Sequence, residues 1–278
     1  MAVDYSLKDH VAHVRIDRAD RMNAVDEATA DELEAIWQRI EADNEVRCVV
    51  LTGSGEKAFC AGADMKAGGA TREGLAYWAH ARPGGFGGLT LRKSLHVPVI
   101  ARVNGLAVGG GFELVLGCDI VIAAEHASFG LPEARVGRMP MDGGMLVLPR
   151  LIPQKIAMGM LMTGNRISAR DAETYGLVNE VVPADELDDA VARWVGQILK
   201  CAPSSCGMMS SPPRRTRRTA GVASSAWSSP SSAPAQRPTW AAPSMRCRPL
   251  PRRHSPILAP WASPFRHAPC RPPASLPS

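Results

Sequence analysis

Two glutamates and a run of three glycines are the residues of this chain best suited to chemistry. Gly109, Gly110 and Gly111 lead directly into Phe112 and Glu113, and a second carboxylate, Glu133, follows Pro132 further on. Glycine lets a backbone turn sharply and lets another group come close to it. Peptide N–H groups at the start of a helix are unpaired and carry the positive end of its dipole. A glycine-rich strand–helix junction can therefore hold a developing negative charge, and carboxylates beside it can move protons. Taken singly, each feature has a plainer reading. A tight turn for helix–strand packing accounts for the glycines, a solvated helix residue for Glu113, and a carboxylate at a helix start for Glu133.

The elements around these residues read as alternating strands and helices, which argues for an α/β layered core. Asp4 to Asp17 alternates apolar and polar residues around Lys8-Asp9-His10 and predicts a half-buried hairpin with Ala12, Val14 and Ile16 on one face. Asp26 is placed to cap a helix to about Ala42, with Leu33, Ile36, Trp37 and Ile40 as its apolar stripe. Strands are expected over 46–51, 98–103, 119–124 and 177–182. Helices are expected over 112–117, 145–151 and 155–162, from Ser168 to about Gly176, and from an Asp185 cap to about Leu199. The glycine-rich stretch 67–88, with Tyr77, Trp78 and Phe86, reads as a ligand-covering loop or a plain connection.

Charge divides the chain unequally. From residue 201 onward there are eleven arginines and no Asp, Glu or Lys, so 21 of the 32 basic residues face all 27 acidic ones in residues 1–200, a net of −6. A nucleic-acid partner is thus not expected for the folded part, although the net charge of the whole chain is +5. Arg214, Arg215, Arg217 and Arg218 leave an RNA- or lipid-binding tail as a minor alternative. The seven cysteines (48, 60, 118, 201, 206, 247, 270) form no metal-ligand spacing, which suits a reducing cytosol and a cytoplasmic enzyme. No stretch reaches 18 apolar residues, so no membrane association is expected, nor any metal. His126, near Glu133, reads as a packing or loop histidine. Motifs for phosphate loops, dinucleotides, serine hydrolases and zincins are missing.

Four stretches together resemble the enoyl-CoA hydratase/isomerase (crotonase) superfamily. They are Gly53–Lys66 (GSGEKAFCAGADMK), Pro98–Leu114 (PVIARVNGLAVGGGFEL), Ala127–Glu133 (ASFGLPE) and Met162–Ala169 (MTGNRISA), in family order over roughly residues 5–203. Pro83–Phe86 and Leu131–Arg135 are most similar to the carnitinyl-CoA dehydratase (crotonobetainyl-CoA hydratase) branch. The resemblance implies a crotonase (ClpP-like) spiral of repeated ββα units. It implies addition or removal of water across the α,β double bond of an enoyl-CoA thioester, with a same-family isomerase or racemase as the alternative and a non-catalytic scaffold as a third reading. The backbone N–H groups of Ala63 and Gly110 would form the oxyanion hole, and Glu113 and Glu133 would move the protons. Ala24, Ala61, Asp64 and Met65 would line the CoA and pantetheine path. Coenzyme A enters only as part of the substrate, no prosthetic group is implied, and a homotrimer or hexamer is.

Two departures stand out. Pro140 is followed by Met141 and Asp142 before Gly143 and Gly144, where the family commonly has small residues near the acyl group. Asp142 either faces a cationic acyl head or, the favoured reading, caps the helix at Met145. From about Ser204 the apolar periodicity stops and Ser, Pro, Arg and Ala dominate. Residues 1–203 are thus expected to be the crotonase-like core, and residues 204–278 a disordered or frameshifted tail that puts the family assembly in doubt.

Overall fold

The computed structural model describes residues 1–66 and 84–214. The chain divides into two units, Met1–Ala226 and Trp227–Ser278, and the second lies wholly outside the described residues. So do Tyr77 and Trp78 of the glycine-rich stretch.

The first unit starts as its alternation predicts. Strands β1 (Val3–Lys8) and β2 (Val11–Ile16) pair antiparallel from Val3 opposite Ile16 to Lys8 opposite Val11. Asp9 and His10 turn the chain with φ of 49° and 65°, the two positive angles that a tight hairpin turn asks for. Ala12, Val14 and Ile16 are buried together, as expected. Helix α1 (Glu27–Ala42) is capped by Asp26, whose carboxylate accepts the Thr29 N–H at 2.8 Å, and it buries Leu33, Trp37 and Ile40.

The strands that follow come in pairs shared between two sheets. β3 (Cys48–Gly53), β5 (Val99–Val103), β7 (Ile120–Ala124) and β10 (Glu180–Val182) join β1 and β2 in a six-stranded sheet, order β1-β2-β3-β5-β7-β10. All its pairs after the first hairpin are parallel. The partner of each of three strands, namely β4 (Ala58–Cys60), β6 (Leu106–Val108) and β8 (Ser128–Gly130), goes to a second sheet closed by β9 (Arg166–Ser168), order β4-β6-β8-β9. The β5–β6 pair is followed by helix α2 (Gly110–Leu116), and the β7–β8 pair by a 3-10 turn over Pro132–Val136. This is the repeated ββα spiral. Its core holds Phe59, Phe112 and Phe129, each fully buried, with the last two rings 5.5 Å apart.

The remaining helices are α3 (Gly144–Leu151), α4 (Gln154–Thr163), α5 (Ala169–Thr174), α6 (Leu187–Leu199) and α7 (Pro203–Arg214). Ser168 caps α5 in a full capping box with Asp171. Three expectations are corrected. Asp185 does not cap α6: it sits in a 3-10 turn over Ala184–Glu186, and the helix begins at Leu187 without a side-chain cap. Asp142 does not cap α3, which starts from Gly143 with no side-chain cap. The chain stays helical past the expected boundary at 203, because α7 runs from Pro203, a residue that suits a first helical position, to Arg214. The rest of the 204–278 expectation lies outside the described residues. Among those described, no helix is long and apolar enough to cross a membrane.

Candidate active site

Three parallel strands of the small sheet end side by side, and the candidate residues leave from those ends. β4 leads to Ala61-Gly62-Ala63, β6 to Gly109-Gly110, and β8 to Leu131-Pro132-Glu133. Adjacency of β4, β6 and β8 therefore brings Ala63, Gly110 and Glu133 together, at the carboxyl edge where open α/β sheets bind ligands. A Cβ placed on Gly62 would lie 3.2 Å from the Gly110 nitrogen, so the two loops touch. Ala63 is tied by a bridge to Val25, through the Val25 N–H to Gly62 O (2.8 Å) and the Asp64 N–H to Val25 O (2.9 Å). That bridge does not use the Ala63 N–H. Neither it nor the Gly110 N–H is spent on an acceptor among the described residues.

The glycine run has a separate reason at each position. Gly109 has φ +58°, and a Cβ there would meet Glu133 Oε1 at 3.2 Å. A Cβ on Gly111 would stand 2.0 Å from the carbonyl oxygen of Cys60, so α2 can pack on β4 only without one.

Glu113 is 4% exposed, and its Oε1 accepts the Gly144 N–H at 3.0 Å. Burial, and then the nearby Asp142 and Glu133 carboxylates, push its pKa up to about 8 against that bond. Glu133 is raised as well, by burial, and its Oε2 is buried with no hydrogen-bond partner. An orphaned carboxylate oxygen beside two unspent N–H donors is a site arranged for something other than folding. Asp142 is also raised by burial. Among the described residues, no group of three His, Cys, Asp or Glu is placed to hold a metal ion.

The expected CoA-path residues fare differently. Ala24 and Ala61 flank the Ala63 loop, with Ala24 O accepting from Arg18 and the Ala61 N–H donating to Met22 O at 3.0 Å. Asp64 is 8% exposed and is engaged by Arg18 at 3.0 Å, so its side chain braces the loop. Arg18 also reaches Asp26 at 2.9 Å, which joins the loop to the start of α1. Met65 is 57% exposed and its Sδ accepts from Arg138 at 3.1 Å.

Several supporting residues escape sequence reading. The buried amides of Asn23 and Asn104 both donate to Ala58 O, at 2.7 and 3.0 Å, and so fix the entry to β4. Gly144 and Phe86, both in stretches that the sequence had offered as lying near a ligand, join the site from distant segments. Arg18 stands in a polar loop whose only signal was its charge. His126 is a loop-bracing residue, its Nε2 within 2.9 Å of Glu56 O and 3.0 Å of Asn104 O. Cys48 and Cys60 are buried thiols pushed up to about 12 by desolvation, which keeps them out of nucleophilic chemistry.

Residues 6–227 match the model of the family described as enoyl-CoA hydratase/isomerase. The chain is 41% identical over 207 residues to an (E)-benzylidenesuccinyl-CoA hydratase of Thauera aromatica, covering 74% of this chain and 79% of that one. It is 44% identical over 193 residues to a carnitinyl-CoA dehydratase of Proteus mirabilis, covering 69% and 72%. The crystal structure of carnitinyl-CoA hydratase from Mycobacterium avium superposes with a TM-score of 0.68 at 39% identity, over 75% of this chain and 78% of the other.

Proposed function

This chain belongs to the enoyl-CoA hydratase/isomerase family, and we propose that it is an acyl-CoA hydro-lyase working with Ala63, Gly110, Glu113 and Glu133. It adds water across, or removes it to form, the α,β double bond of an enoyl-CoA thioester. The observation that carries the residue assignment is the pair of carboxylates flanking two N–H donors that no acceptor among the described residues uses. In this reading the thioester oxygen accepts from Ala63 and Gly110 as it becomes an enolate. One such donor is worth about 3–4 kcal/mol in other enzymes. Glu113, the more strongly raised carboxylate, takes the proton of the water that adds at the β-carbon, and Glu133 exchanges the proton at the α-carbon. Coenzyme A is the carrier half of the substrate, running past Ala24, Ala61 and Met65. We place the enzyme in the cytoplasm and expect the homotrimer or hexamer that the family resemblance implies.

The test is loss of the enoyl thioester absorbance in labelled water, with product analysis, using crotonyl-CoA and longer enoyl-CoAs. Incorporation of one labelled oxygen at the β-carbon supports hydration. Migration of the double bond, or α-proton exchange without oxygen uptake, would make the chain an isomerase or racemase instead.

A further inference from the structure

The loop that carries Ala63 lies along a second loop, residues 18–25, and takes its place from it. The Ala61 N–H donates to Met22 O at 3.0 Å, the Val25 N–H to Gly62 O at 2.8 Å, and the Asp64 N–H to Val25 O at 2.9 Å. None of these bonds uses the Ala63 N–H. The supporting loop is itself in a costly conformation, because Met22 and Asn23 both have left-handed backbones, with φ of 55° and 54°. Residues other than glycine stay there only where the surroundings over-determine them.

Two polar side chains do so here. Asn23 is fully buried; its Oδ1 accepts the Arg18 N–H at 3.0 Å, and its amide donates to Ser54 O and Ala58 O at 2.9 and 2.7 Å. The Arg18 guanidinium closes the other side. It donates to Ala24 O and reaches Asp64 Oδ2 at 3.0 Å and Asp26 Oδ2 at 2.9 Å. Each carboxylate then passes the hold on. Asp64 Oδ1 accepts the Lys66 N–H at 3.0 Å, and Asp26 Oδ1 accepts the Thr29 N–H and hydroxyl at the start of α1. One cation thus fastens the Ala63 loop, the loop behind it and the first turn of α1 to each other. The Arg18 and Asp64 side chains are 16% and 5% exposed, so water screens this pair poorly and breaking it leaves a sheltered charge alone. A planar guanidinium serves two carboxylates and a carbonyl in fixed directions, which a lysine ammonium on its flexible stem does less well.

We infer that Arg18 is a positioning residue for the reaction, holding the Ala63 N–H at the separation from the Gly110 N–H that one thioester oxygen needs. The inference rests on the hydratase reading's assignment of those two donors. The two loops touch where a Cβ on Gly62 would stand 3.2 Å from the Gly110 nitrogen, so a shift of the Ala63 loop alters the pair and not one donor alone. Arg18 acts through Asp64 and Ala24 and not on the substrate. Its loss is therefore expected mainly in turnover, where the oxyanion develops, and little in thioester affinity.

The experiment uses the full chain and its Arg18→Met and Arg18→Lys variants. It reads kcat and KM for hydration of crotonyl-CoA and the melting temperature. It also reads the red shift of bound dimethylaminocinnamoyl-CoA, whose absorbance reports polarisation of the thioester carbonyl. Arg18→Met is expected to lower kcat about 10²-fold, near the loss of one oxyanion donor, with KM within a few fold and most of the red shift gone. Arg18→Lys keeps the charge without the fork and should fall between. A role in folding alone would lower the melting temperature and leave kcat and the red shift of the folded protein intact, and that result overturns the inference. Should Arg18→Met fail to fold, Arg18→Lys decides, and wild-type kcat and red shift in it overturn the inference equally. A red shift in wild type that the variants lose, with no hydration by any of the proteins, would overturn the hydratase reading and leave the positioning role standing. A wild-type protein that binds the probe with no red shift would remove Ala63 and Gly110 as donors, and the inference with them.

Discussion

Glu113 is the residue on which pH acts. If it is the base for water addition, hydration needs it ionised, and it is held protonated up to about pH 8 by burial and by its carboxylate neighbours. The kcat/KM of hydration should therefore rise through an apparent value near 8, while dehydration, which needs the protonated acid by microscopic reversibility, should fall over the same range. The apparent value belongs to the interacting set, so Glu133→Gln should lower it as well as cutting kcat by roughly 10²–10⁴-fold with little change in thioester binding. Near-normal turnover in Glu133→Gln would reject its assignment. Stability carries the opposite mark. A carboxylate raised in the folded state from its ordinary value of 4.5 contributes stability fully below the unfolded value and loses it as pH climbs through the folded one. Glu113→Gln, which keeps an acceptor for the Gly144 N–H, should accordingly stabilise the fold at pH 8–9 by an amount on the order of a few kcal/mol, seen as a higher melting temperature, and leave stability little changed near pH 4. Parallel melting curves of the two proteins from pH 4 to 9 would show that Glu113 is not strained in this way. Glu113 and Glu133 were legible from residue type and motif. For Asp142 the favoured reading as a cap fails, because a residue two positions ahead of a helix reads locally as one, yet the helix starts from Gly143 without a side-chain cap.

Among the elements, the small sheet positions the proposed catalytic groups, while both sheets share the core. Three short strands deliver Ala63, Gly110 and Glu133, and their separation is fixed where α2 lies on the Cys60 carbonyl. Gly111→Ala inserts a methyl at 2.0 Å from that backbone oxygen, which nothing flexible can yield to. The expected cost is about 1–3 kcal/mol of stability, together with a fall of about 10²-fold in kcat/KM as the two donors move apart. Denaturant titration and kinetics of the folded variant check both parts, and unchanged kinetics would mean that the helix and β4 do not set the donor spacing. The larger strands and α1 were legible because alternation and helical periodicity are local signals: Ala12, Val14 and Ile16, or Leu33, Trp37 and Ile40, declare their faces. β4, β6, β8 and β9 have three residues each, too few for a period to register, and only the resemblance pointed to them. Asp185 misled for a related reason: an acidic residue ahead of an apolar stripe looks like a cap, yet the chain spends it in a 3-10 turn before Leu187.

Across the whole molecule, the C-terminal side is where the sequence departs from its relatives' pattern, and the structure shows what that does to the covering of α6. The apolar side of this helix is fully buried at Leu187, Ala190 and Val191, but Trp194, Val195, Ile198 and Leu199 are only partly covered. Helix α7 is held nearby by Gly207 against the His96 backbone, where a Cβ would come within 2.4 Å of the carbonyl oxygen, and Arg47 ties the junction by donating to Leu199 O and Cys201 O at 2.8 Å each. Among residues 203–210, α7 buries Gly207 and Ser210, while Met208 and Met209 are 70% and 66% exposed. A helix that turns its methionines outward and its glycine and serine inward adds little apolar contact, at roughly 25 cal/mol per Å² of apolar surface removed from water. The incomplete cover over Trp194 and Ile198, next to exposed Met208 and Met209, is the kind of surface that associates unless a partner element takes it. Replacing residues 204–278 with an amphipathic helical ending whose apolar stripe faces Trp194 and Ile198 should therefore raise the melting temperature, and it should shift sedimentation toward the trimer. Thermal melting and sedimentation velocity of the two proteins, run side by side at equal concentration, decide it. A stable trimer from the present chain, melting at the same temperature as its helical counterpart, would show that residues 204–278 already supply the missing cover.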